Sequence, residues 1–149
     1  MRAVVQRVKS ASVAVADEQL SRIQQGLLVL VGIGIEDTKQ DADYILQKIL
    51  NLRIFEDEAA KLNLSLQDIK GELMLISQFT LYGDCRNGRR PSFISAARPE
   101  VAEELYEYLL EQASQLGISV AKGKFQANMQ VSLINDGPVT ILIDSKKSF

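Results

Sequence analysis

One uninterrupted apolar run, Leu27-Leu28-Val29-Leu30-Val31, constrains the fold more than any other feature of the sequence. The run has the length of a β-strand, and a strand without polar residues on either face has to be covered on both sides. We therefore predict a central strand that begins after Gly26. A second candidate for a buried strand runs from Glu72 to Phe79, directly after Gly71.

The N-terminal segment alternates apolar with polar or small side chains, as a half-buried strand does. The apolar positions shift phase by one residue between Val8 and Ala11. Such a shift indicates a bend or a β-bulge. We therefore expect the first strand to curl.

Two segments show helical periodicity. The first helix is predicted to begin at Thr38, which forms an imperfect capping box with Asp41, and the second to begin at Pro99 and end at Gly117. The predicted apolar faces comprise Ala42, Ile45, Ile49 and Leu52 in the first helix, and Val101, Leu105, Leu109, Gln112 and Leu116 in the second.

The C-terminal third is predicted to form strands over residues 118–121, 129–133 and 139–143, with a turn at Asn135-Asp136-Gly137-Pro138. This order of elements is that of an α+β fold in which two helices cover a curled, barrel-like β-sheet. Because the 149 residues show no repeat, linker or low-complexity segment, we predict a single domain over residues 1–149.

The chain contains no histidine. This absence excludes the Ser-His-Asp triad, the Cys-His dyad and histidine metal ligands. A single cysteine, Cys85, can form neither an internal disulfide nor a cysteine-rich zinc site, so we expect a reducing compartment and neither a metal nor a cofactor. The net charge is −2, and no apolar run approaches the roughly 20 residues of a membrane span. These properties predict a cytoplasmic protein without a membrane partner.

The second strand candidate ends in Ser77-Gln78-Phe79-Thr80, an unusually polar end for a buried strand. Two hydroxyls and an amide at that place either close the strand or line a pocket, because buried polar groups need partners. Thr80 or Ser77 could act as a nucleophile, but a hydroxyl requires an activating base, and histidine is absent. Backbone N–H groups at a strand end could instead form an oxyanion hole.

A basic segment, Arg86-Asn87-Gly88-Arg89-Arg90-Pro91, contains three arginines, and Lys122 and Lys124 form a second small basic group. Arginine side chains match phosphate geometry, so this segment could hold the end of an RNA. A loop that only maintains solubility explains the same residues.

Asp41 and Asp43 could in principle act as paired carboxylates in metal binding or acid–base catalysis. Their polar surroundings favour a solvent-exposed helix face instead. We therefore interpret them as surface residues.

Several sequence blocks together point to one family, and they span essentially the whole chain. These blocks are Gln6-Arg7-Val8, Ala11-Ser12-Val13, Gly26 to Leu30, Arg53-Ile54-Phe55, Ser77 to Leu81, Arg90-Pro91-Ser92-Phe93 and Met129 to Thr140. Through them the chain resembles the D-aminoacyl-tRNA deacylases, and the combination of Ser-Gln-Phe-Thr and Asn-x-Gly-Pro-Val-Thr in this order is highly specific to that family.

The resemblance implies a homodimer that hydrolyses the ester between a D-amino acid and the 3′ end of tRNA. It also implies removal of glycine from mischarged tRNA(Ala) and rejection of L-aminoacyl-tRNA. Catalysis is expected to be RNA-assisted: the 2′-hydroxyl of the terminal adenosine helps to activate water, and the backbone N–H of Phe79 stabilises the oxyanion.

The same resemblance assigns the site residues. Catalytic positions are expected at Ser77, Gln78, Phe79 and Thr80, with Thr80 in a positioning role. A Gly137-Pro138 dipeptide, cis in the family, is expected to enter the pocket of the other subunit and to exclude L side chains. Phe125 and Met129 correspond to residues that line the pocket, and Arg7 to one that steadies the Gly-Pro element. Two residues depart from the family pattern, Lys122 and Asn128.

Two other functions remain open from the sequence. One is a non-catalytic module that binds RNA or nucleotides through its arginines. The other is a conventional Ser/Thr esterase that acts on small esters.

Overall fold

A computed structural model describes residues 1–149 and contains ten strands and helices with one short 3-10 helix. In chain order the elements are β1 (Arg2–Val15), β2 (Glu18–Ile23), β3 (Gly26–Gly32), α1 (Lys39–Asn51), β4 (Phe55–Glu56), β5 (Leu62–Leu64), β6 (Glu72–Ser77), the 3-10 helix (Phe79–Tyr82), α2 (Pro99–Gln115), β7 (Val120–Lys122) and β8 (Met129–Asp144).

The apolar run forms β3, which lies between antiparallel β1 and parallel β6. Leu27 and Val29 are fully buried. The predicted central strand is therefore confirmed. Because β6 runs parallel to β3, the carboxyl ends of the two strands meet at one edge of the sheet, beside Val31 and Ser77.

Strand β1 bends and organises the rest of the sheet. Its first half pairs with β3 and its second half with β2, while β8 follows its other edge along the whole length. Arg7 and Val8 are both buried, and the register with β8 is interrupted on either side of Val8. The predicted curl is confirmed.

The curl brings the two ends of the sheet together. Strands occur in the order β2-β1-β3-β6-β7, and Ser21 Oγ on β2 donates a hydrogen bond of 2.8 Å to the carbonyl of Lys122 on β7. The sheet is thus a nearly closed barrel, and helices α1 and α2 pack against it in one core that includes Ile45 and Leu109. This arrangement is the α+β fold expected from the sequence.

The predicted turn at residues 135–138 is wrong, because these residues lie within the continuous strand β8. Gln6 pairs with Thr140 and Val8 pairs with Asn135, so residues 136–139 all stand opposite Arg7. Residues 136–139 therefore form a four-residue bulge and not a chain reversal. β1 offers a continuous partner on both sides of the bulge, which keeps the strand direction unchanged.

Helix α1 forms as predicted with Ala42, Ile45 and Ile49 buried, but it ends at Asn51, so Leu52 is its C-cap residue and is only partly buried. Helix α2 begins at Pro99 as predicted and ends at Gln115, two residues before Gly117, and its predicted apolar face is only partly right. Leu105 and Leu109 are buried, whereas Val101 and Leu116 are 46% and 60% exposed. The buried stripe is completed by residues one position further along each turn, namely Tyr106, Leu110 and Ala113.

Two predicted strand bounds also change. β7 begins at Val120 and not at residue 118, and β6 ends at Ser77 and not at Phe79. Phe79 starts the 3-10 helix and is 58% exposed, which explains why the buried strand cannot extend to it. No helix combines the length and the apolar character that a membrane crossing requires.

Candidate active site

A cavity of about 710 Å³ lies at the carboxyl ends of β3 and β6. It is bounded by these strand ends, by the start of α2 and by the loop that leads into β8. Most of its 17 lining residues are hydrophobic, and its polar side chains belong to Ser77, Gln78, Gln126 and Asn128. None of the lining side chains is ionisable, so the cavity itself offers no side-chain acid or base.

The polar strand end predicted from the sequence forms one wall of this cavity. Ser77, Gln78 and Phe79 line it, and the backbone N–H of Gln78 donates a hydrogen bond of 2.7 Å to the carbonyl of Val31. This bond ties the end of β6 to β3. Phe79 begins the 3-10 helix, so its own N–H has no acceptor within that helix.

Thr80 lies just outside the cavity lining and is exposed. Its hydroxyl accepts a hydrogen bond from the side-chain amide of Gln78. Neither Thr80 nor Ser77 is hydrogen-bonded to a basic side chain. The arrangement therefore lacks the activating base that a hydroxyl nucleophile requires.

Aromatic rings form two further walls. Phe79 packs edge-on against Phe93, with ring centroids 5.1 Å apart. On the other side Phe125 rests on Tyr106, whose hydroxyl donates a hydrogen bond of 2.7 Å to the buried carbonyl of Leu75. Burial raises the pKa of Tyr106 well above its ordinary value, so this phenol remains a neutral donor.

The loop before β8 completes the lining. Met129 accepts a weak hydrogen bond at its sulfur from the backbone N–H of Lys124, 3.3 Å away. Gly123 permits this packing, since a β-carbon there would stand 2.6 Å from the same sulfur. Asn128 also lines the cavity, whereas the side chain of Lys122 forms an ion pair with Glu107 at 3.3 Å. Of the two departures from the family pattern, only Asn128 therefore faces the cavity.

A second cluster surrounds the bulge in β8. The Gly137-Pro138 peptide bond is cis, as the resemblance implied, and both residues are exposed. Arg7 is buried beneath them and donates hydrogen bonds to the carbonyls of Asp136 at 3.0 Å and Ile54 at 2.7 Å. Gly137 has a φ of +122°, a conformation that glycine adopts without a steric cost.

The structure therefore divides the predicted site residues into two groups. Ser77, Gln78, Phe79, Phe125 and Met129 meet in the cavity, with Thr80 beside it, whereas Arg7, Gly137 and Pro138 lie elsewhere in the same chain. Sequence reasoning missed one wall of the cavity, formed by Phe93, Ala96, Ala97, Pro99 and Ala102. The only hint of this wall in the sequence is the pair of small residues Ala96 and Ala97 just before α2, which leave room for a cavity.

The interpretation of Asp41 as a surface residue is wrong. Its carboxylate is buried at the start of α1 and accepts hydrogen bonds from Lys146 Nζ at 2.8 Å and Ser145 Oγ at 2.7 Å. Asp43 is exposed as expected and accepts a hydrogen bond of 2.9 Å from the hydroxyl of Tyr108. Asp41 thus joins the C-terminal segment to the first helix and lies outside the cavity.

Comparison with known proteins gives consistent results. The family model described as D-Tyr-tRNA(Tyr) deacylase matches residues 4–144. The D-aminoacyl-tRNA deacylase of Clostridioides difficile (strain 630) is 60% identical over 149 residues, which cover all of both chains. That of Thermosipho africanus (strain TCF52B) is 56% identical over 149 residues, again with full coverage of both.

Two solved structures share the fold. A structure titled c-Myc DNA Unwinding Element Binding Protein superposes with a TM-score of 0.91 at 45% identity, covering 97% of this chain and 98% of the other. A probable eukaryotic D-amino acid tRNA deacylase gives a TM-score of 0.82 at 16% identity, covering 95% and 97% of the two chains. At that identity the second likeness concerns the fold alone.

Proposed function

Because this chain belongs to the D-Tyr-tRNA(Tyr) deacylase family, we propose that it performs chiral proofreading by hydrolysing D-aminoacyl-tRNA while leaving L-aminoacyl-tRNA intact. The enzyme is a D-aminoacyl-tRNA deacylase, a hydrolase that acts on aminoacyl-tRNA. The observation that carries the mechanism is the cavity at the end of β6, which has a mostly apolar lining without an ionisable side chain.

The chemistry of this cavity requires a proton acceptor from elsewhere. The substrate brings one, the 2′-hydroxyl of its terminal adenosine, which helps to activate a water molecule. The water adds to the ester carbonyl carbon, and the backbone N–H of Phe79 stabilises the oxyanion that forms. The bond from this carbon to the 3′ oxygen then breaks, and the proton given up by the water passes through the 2′-hydroxyl to the 3′ oxygen, which releases free tRNA and the amino acid.

The side chains around the strand end hold the substrate for this reaction. Ser77 and Gln78 face the cavity and can hydrogen-bond the aminoacyl group, while Thr80, bound to the Gln78 amide, fixes the orientation of that amide. Phe125 and Met129 supply apolar contact to the substrate side chain. We assign these roles because the side chains line or adjoin the cavity, and none of the roles requires an ionised group.

Selection against L substrates depends on a second subunit. Gly137 and Pro138 are exposed, do not reach the cavity of their own chain, and are held from below by Arg7. In a homodimer these two residues enter the cavity of the other subunit, where their carbonyls leave no room for an L side chain. Glycine has no side chain to exclude, so the enzyme also deacylates mischarged glycyl-tRNA(Ala).

The outer edge of β8 supports such a dimer. β8 pairs with β1 alone, and its exposed apolar residues include Leu133, Ile134 and Leu142 at 37%, 57% and 59% exposure. A long edge strand with apolar side chains is unfavourable in water and is commonly covered by another chain. A second copy of this chain is the occupant that the proposed mechanism requires.

The remaining expectations belong to the same proposal. The chain acts as one domain over residues 1–149, in the cytoplasm where aminoacyl-tRNA is used, and without a metal or cofactor. Its partners are the 3′ end of aminoacyl-tRNA and its own second copy.

The direct test compares the hydrolysis of D-tyrosyl-tRNA and L-tyrosyl-tRNA by the purified protein. We expect release of D-tyrosine and no measurable release of L-tyrosine above the uncatalysed rate. Equal hydrolysis of both, or of neither, would contradict the proposal. Binding of many RNAs without hydrolysis would favour a binding module, and hydrolysis of amino-acid esters that lack RNA would favour a conventional esterase.

A further inference from the structure

The basic loop, residues 85–91, is exposed and comes shortly before the cavity-lining residue Phe93 in the chain. Its base is closed by two backbone hydrogen bonds between Asp84 and Ser92, of 2.8 and 2.9 Å. The next residue, Phe93, lines the cavity and packs against Phe79. The base of the loop is therefore fixed directly beside the wall that carries the proposed oxyanion donor.

The arginines of this loop differ in whether their guanidinium groups are free to bind a ligand. Arg86 is occupied, because its guanidinium forms two hydrogen bonds to the carboxylate of Asp84, at 2.8 and 2.6 Å. Arg86 in turn holds the pKa of Asp84 well below its usual range, so this pair stays ionised and internally neutral. Arg89 and Arg90 are exposed and have no ion-pair partner.

A third free arginine lies on the same stretch of chain. Arg98 is exposed at the start of α2, between the cavity-lining residues Ala97 and Pro99. Residues 85–98 contain four arginines and no carboxylate, although the whole chain carries a net charge of −2. Three unpaired arginines thus lie on a stretch of chain that has no carboxylate and that contributes Phe93, Ala97 and Pro99 to the cavity lining.

We propose that Arg89, Arg90 and Arg98 form a phosphate-binding rim that holds the single-stranded 3′ end of tRNA at the cavity. The proposal rests on the proposed function, because an aminoacylated ribose inside the cavity leaves its phosphodiester chain at the mouth. Arginine binds phosphate oxygens through its planar fork, which suits three unpaired guanidinium groups. Phosphate contacts do not read base sequence, so the rim accepts tRNAs of different sequence.

The test compares Arg89→Gln/Arg90→Gln with Lys70→Gln. Lys70 is an exposed lysine without an ion-pair partner, located just before β6 at the end of the strand opposite Ser77. KM and kcat are measured on D-tyrosyl-tRNA over a range of salt concentrations, and on 3′-O-(D-tyrosyl)adenosine, which lacks phosphates. Binding of uncharged tRNA is followed by fluorescence anisotropy.

We expect the double variant to raise KM for D-tyrosyl-tRNA with little change in kcat. Log affinity for uncharged tRNA falls linearly with log salt concentration, and each neutralised phosphate of a single strand contributes about 0.7 to the slope. Removing two arginines should therefore make this slope shallower by about 1.4. The double variant should lose much less kcat/KM on the adenosine ester than on D-tyrosyl-tRNA. Arg89→Lys/Arg90→Lys should retain most of the salt slope, and Lys70→Gln should match the wild type throughout.

An unchanged salt slope in the double variant would overturn the phosphate rim. A loss of kcat/KM on the adenosine ester as large as that on D-tyrosyl-tRNA would also overturn the proposal. The adenosine ester has no phosphates, so such a loss would mean that the arginines affect the cavity itself. If the wild type hydrolyses neither ester, the proposed function fails, and the anisotropy titration still decides whether Arg89 and Arg90 bind RNA.

Discussion

Arg7 donates a hydrogen bond of 3.0 Å from Nε to the backbone carbonyl of Asp136, the first residue of the bulge in β8. Its Nη1 binds the carbonyl of Ile54 at 2.7 Å, and its side chain is only 6% exposed. One buried guanidinium therefore links strand β1, the bulge that carries Gly137-Pro138, and the segment before β4.

Replacing this arginine by lysine should impair the enzyme. In Arg7→Lys a single ammonium cannot make both bonds in the geometry of the fork, so the bulge loses its fixed position. Hydrogen bonds to charged groups contribute about 1.5–3 kcal/mol, so kcat/KM on D-tyrosyl-tRNA should fall by roughly 10-fold or more. Arg22→Lys, at an exposed site on β2, is the control. A rate for Arg7→Lys within twofold of the wild type would contradict this role.

Removing the hydroxyl of Thr80 should reduce turnover much less than removing a catalytic nucleophile would. Because the Thr80 hydroxyl is hydrogen-bonded to the amide of Gln78 and to no basic side chain, Thr80→Ala should retain turnover within about 10-fold, the scale of one hydrogen bond. Single-turnover hydrolysis and tRNA binding are measured together. Loss of all turnover with intact tRNA binding would restore Thr80 as a nucleophile.

Asp41 should make stability depend on acid pH. Burial raises the pKa of Asp41, but hydrogen bonds from Lys146, Ser145 and Thr38 outweigh this effect and hold the pKa well below its usual value. The folded pKa lies below the unfolded value of about 3.9, so the stabilisation is complete above that pH and is lost as pH falls below it.

Urea unfolding of Asp41→Asn tests this dependence. At pH 7 the free energy of unfolding should fall by about 1–3 kcal/mol, since Lys146 and Ser145 lose a charged acceptor. At pH 3 the difference from the wild type should narrow. Asp43→Asn, on the exposed side of the same helix, should have a smaller effect on the free energy of unfolding at pH 7. An equal difference at pH 7 and pH 3 would contradict the assignment.

Gly26 should be irreplaceable at the start of β3. A β-carbon there would stand 1.9 Å from the carbonyl oxygen of Glu72, on the strand that carries Ser77. Gly26→Ala should therefore push β6 away and destabilise the fold by about 1–3 kcal/mol or more. Gly117→Ala is the control, since its β-carbon meets open space and only its φ of +78° is unfavourable. Chemical denaturation measures both, and equal stability losses would refute a clash at Gly26.

Local patterns in the sequence predict those strands and helices that only need an apolar neighbour on their buried face, whichever residues provide it. The apolar run of β3, the periodicity of α1 and the phase shift in β1 each reflect burial on a face, whichever residues provide the cover. The polar end of β6 likewise indicates the site, because Ser77 and Gln78 at the end of a buried strand need a special environment.

Features that depend on distant residues could not be predicted. Asn135-Asp136-Gly137-Pro138 has ordinary turn chemistry, and only pairing with β1 on both sides makes it a bulge. Asp41 looks like a surface residue until Lys146 and Ser145, more than 100 residues away, are placed beside it. The wall at Phe93 depends on where α2 docks against the sheet.

The most direct measurement concerns the 2′-hydroxyl of the substrate. Single-turnover hydrolysis is compared for D-tyrosyl-tRNA ending in adenosine and in 2′-deoxyadenosine, both charged on the 3′ oxygen. Because the cavity has no ionisable side chain, we expect the deoxy substrate to bind normally and to react at least about 100-fold more slowly, as for loss of a general base. Equal rates for the two substrates would show that the protein supplies the catalytic group, and would contradict the mechanism proposed for this site.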